Sequence, residues 1–307
     1  MIIDIPTTTA SNVAKRLVKV REEGGQVALG RVLTLVIIAE ENEIESSIAA
    51  ANAASSEHPC RIIVVAAADS AQDSLLDAQI RVGGDAGASE VIVLRGAANV
   101  VQHTDTLITP LLLPDAPIVA WWPSVVPQNP ATEPIGSMAQ IRLTDSVMSN
   151  DPNVNLDRLA LHYTPGDVDL AWTRSTVWRG LLASLLDQPP FLPVTGIEVE
   201  GQADHPSCRL VAAWLQLALG VPAKLINVPG SSGLTRVALI RENGPIEYVR
   251  PDGKRATLRQ PNKPDQHIDL PIRNLEECLA EEMRRLYPDE MYSDVLVNGL
   301  SKIGKSA

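Results

Sequence analysis

The sequence predicts two domains with mixed β-sheets and helices packed on the sheets, the first of the α/β class and the second of the α+β class. The length supports two domains, because single cores stop growing at roughly 250–300 residues and this chain has 307. The composition supports sheets covered by helices, because 45% of the residues are apolar and only 3% are aromatic. Strand-length and helix-length segments alternate in the first half, whereas turn dipeptides separate short alternating segments in the second.

The first domain is predicted to begin with an amphipathic helix over residues 11–23. Val13, Leu17 and Val20 recur there at helical spacing, and two glycines follow as terminators. The next predicted elements are a strand over 31–39, a helix over 43–56, a strand over 61–66, a hairpin formed by 79–82 and 90–94, and a strand over 117–122. The strand, helix, strand order predicts a right-handed crossover between parallel strands.

The domain boundary is placed near Pro165, because proline content rises and apolar periodicity fades over residues 123–151. The predicted domains are residues 1–164 and residues 165–307. The second is predicted to contain a helix with the apolar stripe Val177, Leu181, Leu182, Leu185 and Leu186, a strand over 197–199, and a helix over 206–219 capped by Asp204 and closed by Gly220.

Two hairpin turns, Asn243-Gly244 and Asp252-Gly253, predict a three-stranded antiparallel meander in the second domain. A last helix is predicted to begin at Asn274, to bury Leu275, Leu279, Met283 and Leu286, and to end before Pro288. The halves also share a short motif, His58-Pro59-Cys60-Arg61 and His205-Pro206-Ser207-Cys208-Arg209. An internal duplication is one explanation; unrelated domains are the other, since one motif leads into a predicted strand and the other opens a helix.

The charge balance argues against nucleic acid and anionic membrane as partners. There are 26 basic and 37 acidic residues, a formal net charge of −11. We expect neither a signal peptide nor a membrane span, because the first residues carry no basic segment and the apolar runs are only strand-sized. Three separated cysteines without a CxxC pair favour a reducing compartment, and we expect the cytoplasm.

The motifs of common enzymes are missing from the sequence. It contains no GxGxxG or Walker loop, no GxSxG and no HExxH, so we predict no catalytic residues and no cofactor. His58, Cys60, His205 and Cys208 would supply four ligands for zinc if the two motifs met. We prefer the interpretation that they begin secondary-structure elements, and we predict no metal. Two interpretations remain open for Cys208, which lies in the first turn of a predicted helix. The position is either ordinary helix capping, or a site where the helix start lowers the pKa of the thiol and attracts anions.

A local excess of positive charge occurs between Arg236 and Lys263, where seven basic residues face three acidic ones, a net charge of 7 − 3 = +4. This segment predicts either the solvated face of a meander or a binding surface for an anion such as a sugar phosphate. The candidate anion-binding residues are Arg209, Arg236, Arg241, Arg250, Lys254, Arg255 and Arg259.

Tryptophans and arginines occur close together in two parts of the chain. Both residue types are common anchors of protein interfaces, although tryptophan also fills cores when phenylalanine is scarce, and this chain has one phenylalanine. The candidate partner-binding residues are Trp121, Trp122, Trp172, Arg174, Trp178 and Arg179.

Several segments together resemble one known family. They are GRVLTLVIIAE, AANAASSEHPCRIIVV, GGDAGASEVIVLRG, LLLPDAPIVAWWPS, DLAWTRSTVWRGLLASLLDQPP and ECLAEEMRRL. Their order and spacing, over almost the whole chain, are similar to the actinobacterial branch of the OpcA family, the glucose-6-phosphate dehydrogenase assembly proteins.

The resemblance implies a protein that is not itself an enzyme. It would be an allosteric activator and assembly factor that binds the oligomeric, NADP-dependent glucose-6-phosphate dehydrogenase in the oxidative pentose phosphate pathway, favouring its active oligomer and its substrate binding. The alternative from the residues alone is a regulatory module that senses a sugar phosphate or another anion. A directly bound small molecule is left open by the sequence.

Overall fold

The computed structural model describes residues 1–24, 32–56, 58–68, 76–83, 90–202 and 204–303. The chain forms two compact units. Unit 1 contains residues 1–145, 166–168 and 275–288, and unit 2 contains residues 146–165, 169–274 and 289–307. Pro165, where the sequence places the domain boundary, ends the first segment of unit 2.

The helices are α1 Ala10–Gly24, α2 Ile44–Ala54, α3 Ala98–Val101, α4 Thr104–Ile108, α5 Pro152–His162, α6 Leu170–Thr173, α7 Thr176–Leu186, α8 Pro206–Leu219, α9 Leu275–Arg284 and α10 Glu290–Asp294. The strands are β1 Ile2–Ile5, β2 Leu33–Ile38, β3 Cys60–Ala67, β4 Leu76–Arg81, β5 Glu90–Gly96, β6 Ile118–Trp122, β7 Ile141–Thr144, β8 Asp167–Asp169, β9 Gly196–Gly201, β10 Ala223–Asn227, β11 Leu234–Ile240, β12 Ile246–Val249, β13 Arg255–Arg259 and β14 Gln266–Asp269.

The first sheet has the strand order β1-β4-β5-β3-β2-β6-β7-β8 in the described residues. Its centre, from β5 to β7, is parallel, and β2, β3, β5 and β6 are buried almost throughout. Parallel strands need both faces covered, which explains their continuous Val, Ile and Leu content. Val13 and Leu17 of α1 pack in this core, so the predicted opening helix and the parallel β2-α2-β3 unit are confirmed.

The strands toward the edges of this sheet are harder to predict from the sequence than the central ones. The predicted hairpin is confirmed as the antiparallel pair β4 and β5, and β1 adds to it with Ile3 opposite Ile80. Three strands, β1, β7 and β8, were not predicted from the sequence. Each has only three or four residues, too few to establish a period of two.

The second sheet has the order β10-β9-β11-β12-β13-β14 in the described residues. The predicted meander is confirmed, because β11, β12 and β13 pair antiparallel in sequence. Helix α8 connects β9 to the parallel strand β10. The sequence misses β10, and it misses β14, whose residues Gln266 to Asp269 are mostly exposed and have no alternating apolar pattern.

Three helices differ in detail from their predictions. In α7 the buried residues are Trp178, Leu182 and Leu185, and Val177 is exposed, so the predicted stripe is wrong by one position at its start. The residue that caps α8 is His205, not Asp204. Helix α9, which the sequence puts in the second domain, belongs to unit 1, where it packs against α2.

Candidate functional site

The four tryptophans proposed as partner contacts lie inside the protein. Trp121, Trp122, Trp172 and Trp178 are at most 4% exposed. Trp121 and Trp122 point to opposite faces of β6, and both faces are covered. Of the two interpretations that the sequence leaves open, core filling is therefore what the structure shows for these indoles.

Trp172 nevertheless organises a polar cluster in unit 2. Its indole N–H donates to Asp289 Oδ2 at 2.9 Å, and the guanidinium of Arg179 stacks 3.5 Å from its ring centroid. Arg179 also donates to Ser175 Oγ at 3.2 Å and to Thr176 Oγ1 at 3.1 Å. This guanidinium is thus held on the surface of α7 by an indole ring and two hydroxyl groups.

Trp178 and Arg174 contribute to a different part of unit 2. The guanidinium of Arg250 lies 5.1 Å from the ring centroid of Trp178, inside the domain. Arg174 is partly exposed at the end of α6 and lines a small pocket together with Arg250. The structure therefore brings Trp172 together with Arg179, and Trp178 together with Arg250.

Most arginines of the predicted anion-binding set form ion pairs with acidic side chains of the chain itself. Arg236 donates to Glu198, Glu200 and Glu247 at 2.9, 2.6 and 2.5 Å. Burial alone would lower the pKa of Arg236, but its hydrogen bonds to these carboxylates raise the pKa above its usual value. This guanidinium holds three glutamates of the sheet and is already saturated with negative charge.

The other members of the predicted set are dispersed. Arg255 pairs with Asp269, Arg259 lies 3.6 Å from both Glu247 and Asp265, and Arg209 donates to Asp157 at 2.7 Å. Lys254 is exposed, and Arg241 donates to the carbonyl of Pro190 at 3.1 Å. Arg241 and Arg250 differ from the others, because they are only 7% and 5% exposed and neither lies within 4 Å of a carboxylate in the described part of the chain.

Cys208 is buried in the first turn of α8. This thiol is 4% exposed, and burial raises its pKa to about 12 despite the nearby positive charge of Arg250. The alternative of a nucleophilic thiolate at this helix start is therefore wrong, because the cost of desolvating the thiolate outweighs the favourable electrostatic field of Arg250 and the helix. Within the described residues no group of three or more His, Cys, Asp and Glu side chains is placed to hold a metal ion.

The first sheet has a topological switch between β2 and β6, since the chain runs outward from β2 through β3 to β5 on one side and from β6 to β7 on the other. Ligands of open α/β sheets bind in the crevice at the carboxyl ends of such strands. An open cleft of about 720 Å³ lies at the carboxyl ends of β2 and β3, where Ala39, Glu40, Glu41, Asn42 and Ala67 line it. Dinucleotide-binding proteins place glycines and helix N–H groups at this position.

The carboxylates at the switch are tied into the local structure. Glu40 and Glu43 form a reciprocal capping box, and Glu41 pairs with Arg95 at 2.8 Å. Ser124, just after β6, donates to Glu43 Oε2 at 2.8 Å and thereby joins the ends of the two strands. A pyrophosphate entering here would meet negative side chains at a helix start that is already capped.

None of the helices in the described residues is long and apolar enough to cross a bilayer. The fold is similar to that of a solved oxidoreductase from Sinorhizobium meliloti, with a TM-score of 0.51 over 88% of this chain and 96% of that chain. The sequence identity is only 10%, so this likeness is one of fold alone.

A curated relative from Synechocystis sp. (strain ATCC 27184 / PCC 6803 / Kazusa), the putative OxPP cycle protein OpcA, is 27% identical over 169 residues, 52% of this chain. The match spans about a third of the relative's length, 35%. Residues 51–161 match the family described as the glucose-6-phosphate dehydrogenase subunit N-terminal domain, and residues 165–296 match its C-terminal domain. Because both domains occur here in order, with only three residues between them, the chain belongs to the OpcA family.

Proposed function

We propose that this chain is a non-catalytic activator and assembly factor that binds NADP-dependent glucose-6-phosphate dehydrogenase. It favours the active oligomer and the substrate binding of that enzyme in the oxidative pentose phosphate pathway. The observation that carries the proposal is the pair of consecutive domain matches, both described as parts of a glucose-6-phosphate dehydrogenase subunit. The three cysteines are free and buried, which is consistent with a reducing compartment, and we place the protein in the cytoplasm.

The switch-point crevice supports a role without catalysis. An oxidoreductase of this topology binds its dinucleotide where this chain presents Glu40 and Glu41. The sequence has no glycine-rich loop of the kind that binds the phosphates of a dinucleotide. We therefore expect this crevice to bind no dinucleotide.

An activator of this kind acts through unequal affinity for two states of its partner. If it binds the active oligomer more tightly than the inactive form, it shifts the enzyme toward the active oligomer by that difference. A coupling of about 1–3 kcal/mol corresponds to roughly 5–150-fold in the affinity of the enzyme for its substrate.

For the contact surface we propose the outer side of α7, together with Arg174 and Arg179. Val177 is 43% exposed there, and Met291, whose sulfur lies 4.0 Å from Arg179, is 50% exposed. An arginine that is already held by Trp172 loses little conformational entropy on binding. In this proposal the buried ring of Trp172 supports Arg179 from below.

The test is a titration of the purified protein into purified NADP-dependent glucose-6-phosphate dehydrogenase. Sedimentation velocity measures the complex, and initial rates measure the dependence on glucose 6-phosphate. We expect a larger sedimenting species and a lower substrate concentration at half-maximal rate. If neither changes at micromolar concentrations of both proteins, the proposed function is wrong.

Two matched substitutions locate the contact. Val177→Asp places a charge on the outer side of α7, whereas Val154→Asp places the same charge on α5, where Val154 is 57% exposed. We expect only Val177→Asp to weaken the complex. Equal effects of the two variants would show that α7 is not part of the interface. The activator role itself is tested by the titration described above.

A further inference from the structure

Unit 2 contains a small cationic pocket beside the N-terminus of α8. Its volume, including the open mouth, is about 310 Å³. Arg174, His205, Arg250 and Arg273 line it, together with Ser232 and a neighbouring glycine. The described residues of its lining include no aspartate and no glutamate, although the chain as a whole carries a net charge of −11.

Arg250 is a buried cation with no carboxylate at ion-pair distance in the described residues, and the more distant charge of Asp252 and the ring of Trp178 oppose its desolvation only in part. Two of its N–H groups donate to main-chain carbonyls, those of Leu270 at 3.0 Å and Leu234 at 2.9 Å. Its Nε has no hydrogen-bond partner in the described part of the protein. Burial lowers the pKa of Arg250 to about 10, so it remains a cation at neutral pH.

Two other buried arginines, Arg61 and Arg142, show the usual arrangement, whereas Arg241 donates to a main-chain carbonyl and, like Arg250, has no carboxylate partner in the described residues. Arg61 donates to Glu90 at 2.8 Å, and Arg142 donates to Asp167. Buried cations are normally paired in this way, because an isolated charge in a protein interior is costly. Arg250 lacks such a carboxylate and faces a pocket that is open to solvent, so an anion in that pocket would supply the missing charge.

His205 adds a neutral hydrogen-bond donor to the same pocket. Its Nδ1 accepts from the backbone N–H of Ser207 at 3.3 Å, which assigns the ring proton to Nε2. Burial, assisted by the positive charges of Arg174 and Arg250 and opposed by Asp204, lowers the pKa of His205 to about 4. At neutral pH the ring is therefore uncharged, and Nε2 has no hydrogen-bond partner among the described residues.

Gly233 allows the imidazole to lie where it does. Its φ is +87°, and a Cβ at this position would lie 3.2 Å from Nε2 of His205. A side chain here would therefore press on the donor atom and would also require a strained backbone. The glycine keeps the donor accessible from the pocket.

We propose that this pocket binds a dianionic phosphate group, either inorganic phosphate or the phosphate of a small monoester. Three guanidinium groups match the charge and the oxygen geometry of phosphate better than those of a single carboxylate. The positive end of α8, a helix of 14 residues, adds to the favourable field. The site is intrinsic to unit 2 and does not depend on the proposed dehydrogenase partner.

Calorimetric titration of the full chain at low ionic strength tests the proposal. The probes are inorganic phosphate, glucose 6-phosphate, glucose and acetate. We expect 1:1 binding of one or both phosphates, no binding of glucose, and at least tenfold weaker binding of acetate. Tighter binding of the ester identifies a monoester site, and equal binding identifies a site for the phosphate group alone. If neither phosphate binds, or if acetate binds equally well, the proposal is overturned.

Matched variants assign the binding to these residues. Arg174→Gln and Arg273→Gln should each weaken phosphate binding at least tenfold, whereas Arg255→Gln, on the exposed meander, should leave it unchanged. Equal affinity in all three variants and the wild type would place any bound phosphate elsewhere and overturn the assignment.

A carboxylate introduced at the mouth of the pocket gives a second test that does not remove an arginine. Ser232→Glu should abolish phosphate binding, because the new side chain competes for the same guanidinium groups. Its melting temperature without phosphate should equal or exceed that of the wild type. Phosphate should raise the melting temperature of the wild type but not that of Ser232→Glu. An equal rise in both proteins would count against the pocket.

Discussion

The indole N–H of Trp172 and the backbone N–H of Tyr292 bind the two oxygens of one carboxylate, Asp289, each at 2.9 Å. Asp289 is thus the cap of α10 and the partner of a buried indole at the same time. The ring of Tyr292 lies 5.9 Å from that of Trp172 and 6.2 Å from that of Tyr163. Asp289 and the rings around it thus fix the start of the last segment of unit 2.

Asp289→Ala should therefore lower the free energy of unfolding by about 2–4 kcal/mol, since it removes a helix cap and leaves a buried indole donor unpaired. Urea unfolding followed by circular dichroism measures the loss. Trp172→Phe and the double variant complete a thermodynamic cycle, and we expect a coupling of about 1 kcal/mol between the two positions. A coupling near zero would mean that the hydrogen bond does not contribute to stability.

Glu90 is the counter-charge for two arginines of unit 1. It is 1% exposed and accepts from Arg21 at 2.5 and 2.8 Å and from Arg61 at 2.8 Å. Glu90→Gln should cost about 3–5 kcal/mol, because the buried guanidinium of Arg61 loses its compensating charge. The control is Asp269→Asn, which breaks an exposed ion pair with Arg255 and should cost less than about 1 kcal/mol. Similar losses in the two variants would contradict this view of Glu90.

Sequence patterns predicted the long elements of the fold well and the short ones poorly. Continuous apolar residues predict the strands β2, β3 and β5. Pro206 at the start and Gly220 at the end predict α8. Burial on both sides makes such patterns strong. Short edge strands such as β14 are held by pairing with a neighbour, and pairing leaves little trace in the residues themselves.

The candidate site was predicted only in part, for a related reason. The charge excess of the meander correctly includes Arg250, but the sequence cannot say that Arg236 is surrounded by three glutamates while Arg250 has none. Arg174, Arg273 and His205 come from distant parts of the chain and meet only through the fold. The one local signal for the pocket was the Pro-Ser start of α8 after His205.

Cys208 should be unreactive in the folded protein. Burial raises the pKa of its thiol to about 12, and it is 4% exposed, so almost no thiolate is present or accessible at pH 8. Cys60 and Cys278 are also fully buried. We expect iodoacetamide to modify none of the three cysteines in the native state and all three in urea, as measured by peptide mass spectrometry. Labelling of native Cys208 at the rate of a free thiol would contradict the structure of this helix start.

His205 should make the stability of unit 2 depend on pH. Its pKa is about 4 in the folded protein against 6.5 for an unperturbed histidine, mainly because the ring is buried. As the pH falls below about 6.5, the unfolded chain binds a proton that the folded chain does not bind, so stability decreases until the pH reaches about 4. The full difference corresponds to roughly 3 kcal/mol.

The matched variant is His205→Asn, because asparagine caps helices well and does not titrate. Unfolding in urea at pH 7.5 and pH 5, in buffers without phosphate, should show a larger loss of stability at low pH in the wild type than in His205→Asn. All other ionisable groups are common to the two proteins and cancel in the comparison. If the wild type and the variant lose equal stability, His205 is not held neutral by the fold, and the donor that we assign to the phosphate pocket would be a cation instead.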